Sequence, residues 1–254
     1  MKIALLGYGK MGRYLHDLAR AAGDEVVLTV DAARRPQLTA EDLRVADVII
    51  EFTQPEAAVA NIDLALAAGV PIVVGTTGWL HELPAVTARV RAAEGSLFWA
   101  SNFSLGVNVF FRVAERLAAL LGDQPDYAID ITETHHVQKL DAPSGTAITL
   151  AERVAAQHPD YDGWSLAAVQ SPAPVTRVAP AAAPPENALP VPIKSVREPG
   201  VPGTHELVFS SAVDTLRLEH EAHSRAGFAQ GALTAARWLV GRSGVFTMQD
   251  LLSD

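Results

Sequence analysis

The chain has 254 residues, of which 49% are hydrophobic, and its 20 basic and 29 acidic residues give a formal net charge of −9. An acidic chain has no bulk attraction for nucleic acid or for an anionic membrane surface, so neither is an expected partner. The sequence contains no cysteine, which excludes disulfides, thiolate metal sites and a cysteine nucleophile. The length allows one large domain or two modest ones.

No targeting or membrane-spanning segment is predicted. Gly7 interrupts the apolar run that begins at Ile3 before the core of a signal peptide could form. The longest apolar stretch, Ala65–Val74, contains Gly69 and Pro71 and is far shorter than the roughly 20 residues that span a bilayer. We therefore expect a soluble, cytoplasmic protein.

Short apolar runs alternate with helix-period segments through the first hundred residues. Five runs are predicted to be strands: Ile3–Leu6, Val26–Val30, Asp47–Phe52, Pro71–Val74 and Leu97–Ala100. Three intervening segments are predicted to be helices: Met11–Ala22, Glu56–Ala68 and His81–Ala93. Continuous apolar strands are typical of a parallel sheet that helices cover on both faces. The pattern predicts an α/β fold, with a doubly wound, Rossmann-type domain over residues 1–105.

The rhythm changes after Gly106, and residues 106–225 predict an α+β domain. Its predicted helices are Val107–Leu121 and Gly145–Gln157. Its sheet is predicted to be mixed but largely antiparallel, with one strand around Tyr127–Ile131 and antiparallel strands at Pro192–Arg197, His205–Val213 and Leu216–His223.

Two further segments complete the chain. Ser171–Pro192 carries seven prolines and is predicted to be a loop that cannot lie inside a sheet or a helix. Phe228–Val240 is predicted to be a helix, and Thr247–Leu252 a short helix with Thr247 as its N-cap.

A glycine motif lies directly between the first predicted strand and the first predicted helix. It reads Gly7-Tyr8-Gly9-Lys10-Met11-Gly12, a G-x-G-x-x-G pattern. The first glycine permits a tight turn, the second allows a pyrophosphate to approach the backbone, and the third allows the helix to pack closely on the strand. A glycine turn without a ligand is the alternative, but the strand–turn–helix context favours dinucleotide binding.

Asp31 bears on the choice of cofactor. It ends the second predicted strand, 19 residues after Gly12, where a carboxylate holds the ribose hydroxyls of a dinucleotide. A carboxylate there repels a 2′-phosphate, which favours NADH over NADPH. Arg34 and Arg35 lie close enough in sequence to compensate, so use of both cofactors stays open.

Two other loops follow predicted strands, at the edge where open α/β sheets bind ligands. The first is Gly75-Thr76-Thr77-Gly78 and the second is Ala100-Ser101-Asn102-Phe103. Their small hydroxyl residues and exposed backbone suit a nicotinamide and its ribose. Either loop alone would be interpreted as an ordinary turn.

The stretch from Glu133 to Ala147 carries the densest chemistry of the sequence. It places His135, His136 and Lys139 just before a helix start at Ser144-Gly145-Thr146, in a chain with only four lysines. The helix N-terminus offers backbone N–H groups to a carboxylate or phosphate, and the histidines and the lysine can transfer protons. The sequence predicts an anion site here.

A metal site is not predicted at the paired histidines. No third ligand stands at a recognisable spacing, and a strand would point His135 and His136 to opposite faces. The other histidines, among them His205, are interpreted as surface or strand-face residues.

The chain resembles the dihydrodipicolinate (4-hydroxy-tetrahydrodipicolinate) reductases of lysine and diaminopimelate biosynthesis over nearly its whole length. The run His-His-x-x-Lys-x-Asp-Ala-Pro-Ser-Gly-Thr-Ala is the most specific part of the resemblance. The other matching residues are Gly7–Gly12, Glu51–Thr53 before Pro55, Gly75–Gly78, Asn102–Ser104, Gly106–Asn108, His220, Ser224-Arg225, Phe228-Ala229 and Gly231-Ala232.

The resemblance implies that a cyclic unsaturated dicarboxylate is reduced with NADH or NADPH to tetrahydrodipicolinate. It implies that His135 is the catalytic acid/base and Lys139 a proton donor and carboxylate partner. His136, Gly145 and Thr146 then match substrate-binding positions, with Ser144 beside them. The matching cofactor positions are Gly7, Tyr8, Gly9, Lys10, Met11, Gly12, Asp31, Gly75, Thr76, Thr77, Ala100, Ser101, Asn102 and Phe103.

The resemblance also implies that residues 106–225 are the substrate-binding and oligomerisation domain, whose sheet builds a homotetramer, and that residues 226–254 return to the nucleotide domain. The chain departs from the family at Ala32, where a basic residue often follows the ribose-binding acid. Two alternatives are another Rossmann-fold dehydrogenase acting on a different small acid, and a dinucleotide sensor without catalysis.

Overall fold

The computed structural model describes residues 1–124, 126–181, 187–224 and 226–253. The chain divides into two compact units. Unit 1 comprises Met1–Leu105 and Ala226–Asp254, and unit 2 comprises Gly106–Arg225. Within the described ranges, none of the helices has the length and apolar character that crossing a membrane requires.

Six strands of unit 1 form one parallel sheet, in the order β13-β5-β4-β3-β1-β2 when strands are numbered along the chain. Their bounds are β1 Lys2–Leu6, β2 Glu25–Val30, β3 Val48–Glu51, β4 Ile72–Val74, β5 Ser96–Trp99 and β13 Gly244–Phe246. Every residue of β3 and β4 is buried, as the continuous apolar runs predict for a sheet covered on both faces.

Helices cover both faces of this sheet. Ile62 and Val86 pack on one face, while Leu15 and Leu233 pack on the other. The helices of unit 1 are α1 Lys10–Ala21, α2 Ala40–Leu43, α3 Pro55–Ala68, α4 Leu83–Ala92, α7 Ala226–Leu239 and α8 Met248–Leu251.

The Rossmann-type prediction is confirmed, and the strands and helices predicted in the first hundred residues lie within two residues of their predicted ends. The predicted cap of the last helix is confirmed as well, because Thr247 accepts a hydrogen bond from the backbone of α8. Helix α2 and strand β13 were not predicted. Both are too short, at four and three residues, to show a period in the sequence.

Five strands of unit 2 form a mixed sheet in the order β12-β11-β6-β10-β8. Their bounds are β6 Ala128–His135, β8 Tyr161–Gln170, β10 Leu189–Arg197, β11 Gly203–Ser210 and β12 Thr215–Ala222. Helices α5 Leu105–Leu121 and α6 Gly145–Ala155 contribute apolar side chains to the core under this sheet. A separate two-residue ladder joins β7 Asp141–Ala142 to β9 Arg177–Val178.

The predicted mixed sheet is confirmed, but "largely antiparallel" was wrong. Strand β10 runs parallel to both β6 and β8, whereas β11 runs antiparallel to β6 and β12. Strand β8 was missed because Gly163 and a weak alternation of apolar residues hide it in the sequence. Without β8, the predicted β10 had only antiparallel candidates as neighbours.

The prediction for Ser171–Pro192 was wrong at its C-terminal end. Leu189–Pro192 forms the start of β10, and Val191 is fully buried. The prolines are tolerated because β6 pairs with β10 only from Ile193 onward, so the earlier residues pair with β8 alone. The part of this segment at 182–186, like Arg225 of the family motif and Asp254 at the end of the nucleotide domain, lies outside the described residues.

Candidate functional site

The glycine motif forms the turn between β1 and α1, and three of its features depend on glycine. Gly7 has φ +96°, and a Cβ there would overlap the carbonyl oxygen of Phe52. A Cβ on Gly12 would overlap the carbonyl oxygen of Gly7, so this glycine lets α1 pack against the turn. In contrast, a Cβ on Gly9 would meet no heavy atom of the described residues within 4 Å. The backbone is therefore open at the N-cap of α1.

This open N-cap fits a dinucleotide phosphate. Gly9 caps α1 without a side-chain hydrogen bond, and the first turn of this fully described helix holds no acidic residue. Its N–H groups and the positive end of the helix dipole are thus available to an anion. The fit rests on backbone geometry, with Tyr8 in the turn and Lys10 and Met11 at the start of α1. Cofactor binding by Gly7–Gly12 stays a prediction.

Asp31 lies directly after β2 and is exposed. Its Oδ1 accepts a hydrogen bond of 2.9 Å from the backbone N–H of Arg34. Both nearby arginines are held by the protein: Arg34 Nη1 donates to the carbonyl oxygen of Thr29 at 3.4 Å, and Arg35 Nε donates to Asn61. The Asp31 carboxylate is thus exposed to solvent, while both nearby arginines have other contacts.

The loops after β4 and β5 lie at the same edge, because parallel strands end on one side of a sheet. Thr76 is buried, and its Oγ1 accepts a hydrogen bond of 2.7 Å from the backbone N–H of Thr53. Gly75 packs against the ring of Phe52, where a Cβ would overlap it. The other predicted residues of these loops are Thr77, Ala100, Ser101, Asn102 and Phe103, of which Ala100 and Phe103 are buried.

A buried carboxyl group behind this edge was not predicted as part of the site. Glu51, the last residue of β3, is fully buried and contacts the side chains of Thr53 and Asn61. Burial raises the pKa of Glu51, although hydrogen bonds from Thr53, Thr76 and Asn61 oppose the rise. Through Asn61 this group connects to Arg35, so it braces the loops after β2 and β3.

In unit 2 the inner face of the sheet changes from apolar to polar toward the end of β6. Ile131 lies between Ile193 and Leu207 in the core, and the next residue of the row, Glu133, lies between Ser195 and His205. Because side chains alternate along a strand, His135 continues the same row beyond Glu133. Strand β6 thus places the Glu133 carboxylate and the His135 imidazole next to each other on the inner face of the sheet.

Glu133 connects His135 to a buried arginine. Its Oε2 contacts His135 Nδ1, and its Oε1 accepts a hydrogen bond of 2.9 Å from Arg197 Nη2. Burial alone raises the pKa of Glu133, but the hydrogen bonds from His135 and Arg197 together lower it to about 2. Glu133 is therefore a carboxylate at neutral pH although its side chain is fully buried.

Arg197 also holds the loop that follows β6. Besides Glu133, it donates hydrogen bonds to the carbonyl oxygens of Val196, at 2.6 Å, and Asp141, at 2.7 Å. Its side chain is fully buried, so the positive charge is matched by acceptors from β6, β10 and β7.

His205 is the second imidazole of the group. The sequence left surface and strand face open for it, and it is a strand-face residue on the buried side of the sheet. It lies opposite Glu133 on β11, is 5% exposed, and its ring centroid is 5.2 Å from that of His135. Its Nε2 is 3.1 Å from Ser144 Oγ. Burial, together with the nearby His135, lowers the pKa of His205 to about 3, so it is neutral at neutral pH. We refer to Glu133, His135, Ser144, Arg197 and His205 as the His135 cluster.

Lys139 lies in the loop between β6 and β7. Its Nζ donates a hydrogen bond of 2.7 Å to Asp141 Oδ2, and its backbone N–H donates to the carbonyl oxygen of His136. Burial opposes the effect, but the hydrogen bond from Lys139 lowers the pKa of Asp141. His136 itself is half-buried in this loop.

The loop is also braced by the proline-rich segment, to which the sequence assigned no function. Backbone N–H groups of Thr176, Arg177 and Ala179 donate to the carbonyl oxygens of Leu140 and Ala142. The segment therefore holds the chain directly after Lys139.

Helix α6 begins beside this loop, as predicted. Ser144 is its N-cap, and its Oγ accepts a hydrogen bond of 3.2 Å from the backbone N–H of Ala147. A Cβ on Gly145 would meet no heavy atom of the described residues within 4 Å, so the helix is open to a ligand at that residue. Thr146 follows in the first turn, and no acidic residue stands in the first turn of this described helix. An anion fits here.

Three groups that can ligate a metal do meet in the His135 cluster, which spacing in the sequence could not show. Ligand atoms of Glu133, His135 and His205 lie within 4.8 Å of one another. However, both oxygens of Glu133 already have contacts, one of them with a cation, and His205 contacts Ser144. The hydrogen bonds favour a proton-handling site, and we assign no metal to it.

Sequence reasoning missed Glu133, Arg197 and His205 as members of the site. Their side chains share the inner face of the sheet only through the pairing of β6, β10 and β11. The one signal in the sequence was alternation: Glu133 and His135 are in phase with the buried Ile129 and Ile131.

Models of known families match both parts of the chain. Residues 1–103 match the family described as "Dihydrodipicolinate reductase, N-terminus", and residues 106–252 match "Dihydrodipicolinate reductase, C-terminus". Among relatives, the 4-hydroxy-tetrahydrodipicolinate reductase of Christiangramia forsetii is 39% identical, covering 100% of this chain and 98% of its own length. That of Ralstonia nicotianae is 36% identical, covering 99% of both chains.

Solved structures share the fold. A dipicolinate-bound dihydrodipicolinate reductase from Paenisporosarcina sp. TG-14 is 24% identical, with a TM-score of 0.76 over 97% of each chain. An amine dehydrogenase from Mycobacterium smegmatis is 13% identical, with a TM-score of 0.58 over 98% of this chain and 95% of its own. The family models and the relatives together cover both units, and the chain belongs to the dihydrodipicolinate reductase family.

Proposed function

We propose that the chain reduces 4-hydroxy-tetrahydrodipicolinate, by way of dihydrodipicolinate, to tetrahydrodipicolinate with a nicotinamide dinucleotide. The relatives named for this reaction match the chain over its whole length. The observation that carries the proposal is the His135 cluster, because it links a proton-handling imidazole through His205 to the open N-terminus of α6. Unit 1 is the dinucleotide-binding domain, and unit 2 is the substrate-binding and oligomerisation domain.

The residues of the chain divide the work as follows. Gly7–Gly12, Asp31 and the loops after β4 and β5 would hold the reduced dinucleotide, which would supply a hydride. The N-terminus of α6, through Ser144, Gly145 and Thr146, binds a carboxylate of the substrate, with Lys139 and His136 beside it. His135 donates the proton that completes the reduction, and Lys139 is a second proton donor.

The substrate assay tests this function directly. NADH oxidation is followed with the condensation product of pyruvate and aspartate semialdehyde. His135→Ala should lower turnover roughly 10²–10⁴-fold while leaving NADH affinity unchanged. His81→Ala is the control, since the His81 side chain is 73% exposed and contacts only its neighbour Glu82 among charged groups of the described residues. Turnover by His135→Ala at the control's rate would refute the assigned role, and NADH binding without any turnover would favour a dinucleotide sensor.

NADH is the cofactor we propose. The exposed Asp31 carboxylate repels a 2′-phosphate, while Arg34 and Arg35 are held by Thr29 and Asn61. Asp31→Asn should therefore raise kcat/KM for NADPH relative to NADH, and Asp17→Asn, an exposed site on α1, should leave the ratio unchanged. A wild-type preference for NADPH would refute the choice of NADH.

We also propose a homotetramer built by the sheet of unit 2. Helices α5 and α6 contribute to the core on its inner face, but Thr132, Glu206 and Val208 of the other face are only half-buried in the single chain. A second copy would cover them. Light scattering after size-exclusion chromatography tests the assembly, and a monomer would refute it. The cytoplasmic location that the sequence predicts stays a prediction.

A further inference from the structure

We propose that Glu133, anchored by Arg197, is a positioning residue that fixes which nitrogen of His135 carries the transferable proton. The inference rests on the proposed function, in which His135 donates a proton, and it adds the group that prepares His135 for that step. Neither the motif nor the family resemblance assigned a role to Glu133.

The contacts of Glu133 allow only one arrangement of the protons on the His135 ring. Glu133 Oε1 is occupied by the guanidinium of Arg197, so Oε2 faces His135 Nδ1. A carboxylate accepts hydrogen bonds but donates none, so Nδ1 must carry a proton in both charge states of the imidazole. The proton that His135 exchanges is then the one on Nε2.

This arrangement matches the chemistry of proton donation. When the imidazolium gives its Nε2 proton to the hydride-reduced ring, the N–H bond at Nε2 breaks and a C–H bond forms on the substrate. The product is neutral imidazole with its remaining proton on Nδ1. The Glu133 carboxylate stabilises that tautomer and, before the transfer, the positive charge of the imidazolium.

Two neighbours keep the imidazole in place. Gly203, at the start of β11, packs against it, because a Cβ there would lie 2.9 Å from His135 Nε2. His205 meets the ring at an interplanar angle of 76° and is neutral, so it adds no competing positive charge. The ammonium of Lys139 is paired with Asp141, and its positive charge contributes to the lowered pKa of His205.

A Glu133→Gln variant separates positioning from simple support of the fold. Arg197 only donates hydrogen bonds, so the amide oxygen of the new side chain turns toward Arg197. Its NH₂ group then faces His135 Nδ1 and favours the opposite tautomer, with the proton on Nε2. We expect kcat to fall roughly 10²-fold with NADH affinity unchanged. Nitrogen-15 NMR of the variant should show neutral His135 protonated at Nε2 and unprotonated at Nδ1.

Glu115→Gln is the matched control. It removes a carboxylate from an ion pair with Arg153 in the same unit, without reaching His135 among the described contacts. The control should keep the wild-type kcat and the Nδ1-protonated tautomer of His135.

A double-mutant cycle with His135→Ala distinguishes this inference from the proposed function. If Glu133 acts through His135, adding Glu133→Gln to His135→Ala costs no further activity. Losses that multiply, or a His135 tautomer that does not change in Glu133→Gln, would overturn the positioning role. If His135→Ala alone keeps full activity, the proposed function of His135 fails first and the positioning role fails with it.

A measurement on the unaltered enzyme avoids any failure of the variant to fold. Nitrogen-15 NMR of histidine-labelled protein should show neutral His135 protonated at Nδ1 and unprotonated at Nε2. The opposite tautomer would overturn the inference.

Discussion

The glycine loop of unit 1 and the His135 cluster of unit 2 are built from different parts of the polypeptide. The glycine loop depends on the close approach of its backbone. Gly7 and Gly12 are required because a Cβ at either residue would overlap a carbonyl oxygen. The His135 cluster depends instead on charged and polar side chains, of which Arg197 and Glu133 are both buried. We expect an added Cβ at Gly7 or Gly12 to disrupt the glycine loop, and the loss of a hydrogen-bonding partner to disrupt the His135 cluster. Substitutions can test this difference.

The largest effect is expected in the glycine loop. Gly7→Ala should destabilise the protein by roughly 3 kcal/mol or more, because a left-handed φ and an overlap with Phe52 coincide at this residue. Thermal or denaturant unfolding measures the loss. Gly9→Ala is the control: its Cβ meets no heavy atom of the described residues within 4 Å, so stability should hold while NADH affinity falls. Equal stability losses in both variants would show that the open N-cap of α1 is misassigned.

The same difference explains how far the sequence predicts the molecule. The glycine loop lies within six consecutive residues, and its strand–turn–helix context is local, so the motif and Asp31 suffice to predict it. The buried strands of unit 1 are continuous apolar runs, and they too are visible without knowing their neighbours.

Unit 2 depends on pairings between distant segments. His135 and Lys139 stand in one informative block, but Arg197 is 64 residues from Glu133, and it reaches the carboxylate only because β10 runs parallel to β6. The missed strand β8 and the wrong orientation of β10 are the reason that the sequence could not place Arg197 in the site.

An intermediate effect is expected from the neutral imidazole of the His135 cluster. The pKa of His205 is about 3 in the folded chain, below its ordinary value of 6.5. Between these two pH values the unfolded chain binds a proton that the folded chain does not, so stability is highest above pH 6.5 and falls as the pH is lowered. The slope is at most about 1.4 kcal/mol per pH unit, or about 2 kcal/mol at pH 5.

Denaturant unfolding at a series of pH values measures this slope. His205→Gln keeps an amide group for Ser144 but cannot titrate, so the fall between pH 6.5 and 4.5 should be flatter than in the wild type. Glu133 does not interfere in that window, since its lowered pKa of about 2 makes its stabilising contribution fade only below its ordinary value of 4.5. Identical slopes for variant and wild type would mean that His205 accepts a proton in the folded state.

The smallest effect is expected at Gly203, a glycine that packs against the side chains of the His135 cluster. A Cβ there would lie 2.9 Å from His135 Nε2. The imidazole is the end of a side chain, so it can tilt away, but tilting weakens its contact with Glu133. Gly203→Ala should therefore lower kcat roughly tenfold, about 1.4 kcal/mol, with little change in unfolding midpoint or in NADH affinity.

Gly163→Ala controls for the conformational effect of replacing a strand glycine. Gly163 lies in β8, has φ +65°, and a Cβ there would meet no heavy atom of the described residues within 4 Å. That variant should lose stability through its backbone conformation but keep its kcat. The opposite result, with Gly203→Ala losing stability but not turnover, would show that the space beside His135 serves packing alone. If Gly203→Ala instead lost both turnover and the Nδ1-protonated tautomer, Gly203, His135 and Glu133 would act together to hold the proton.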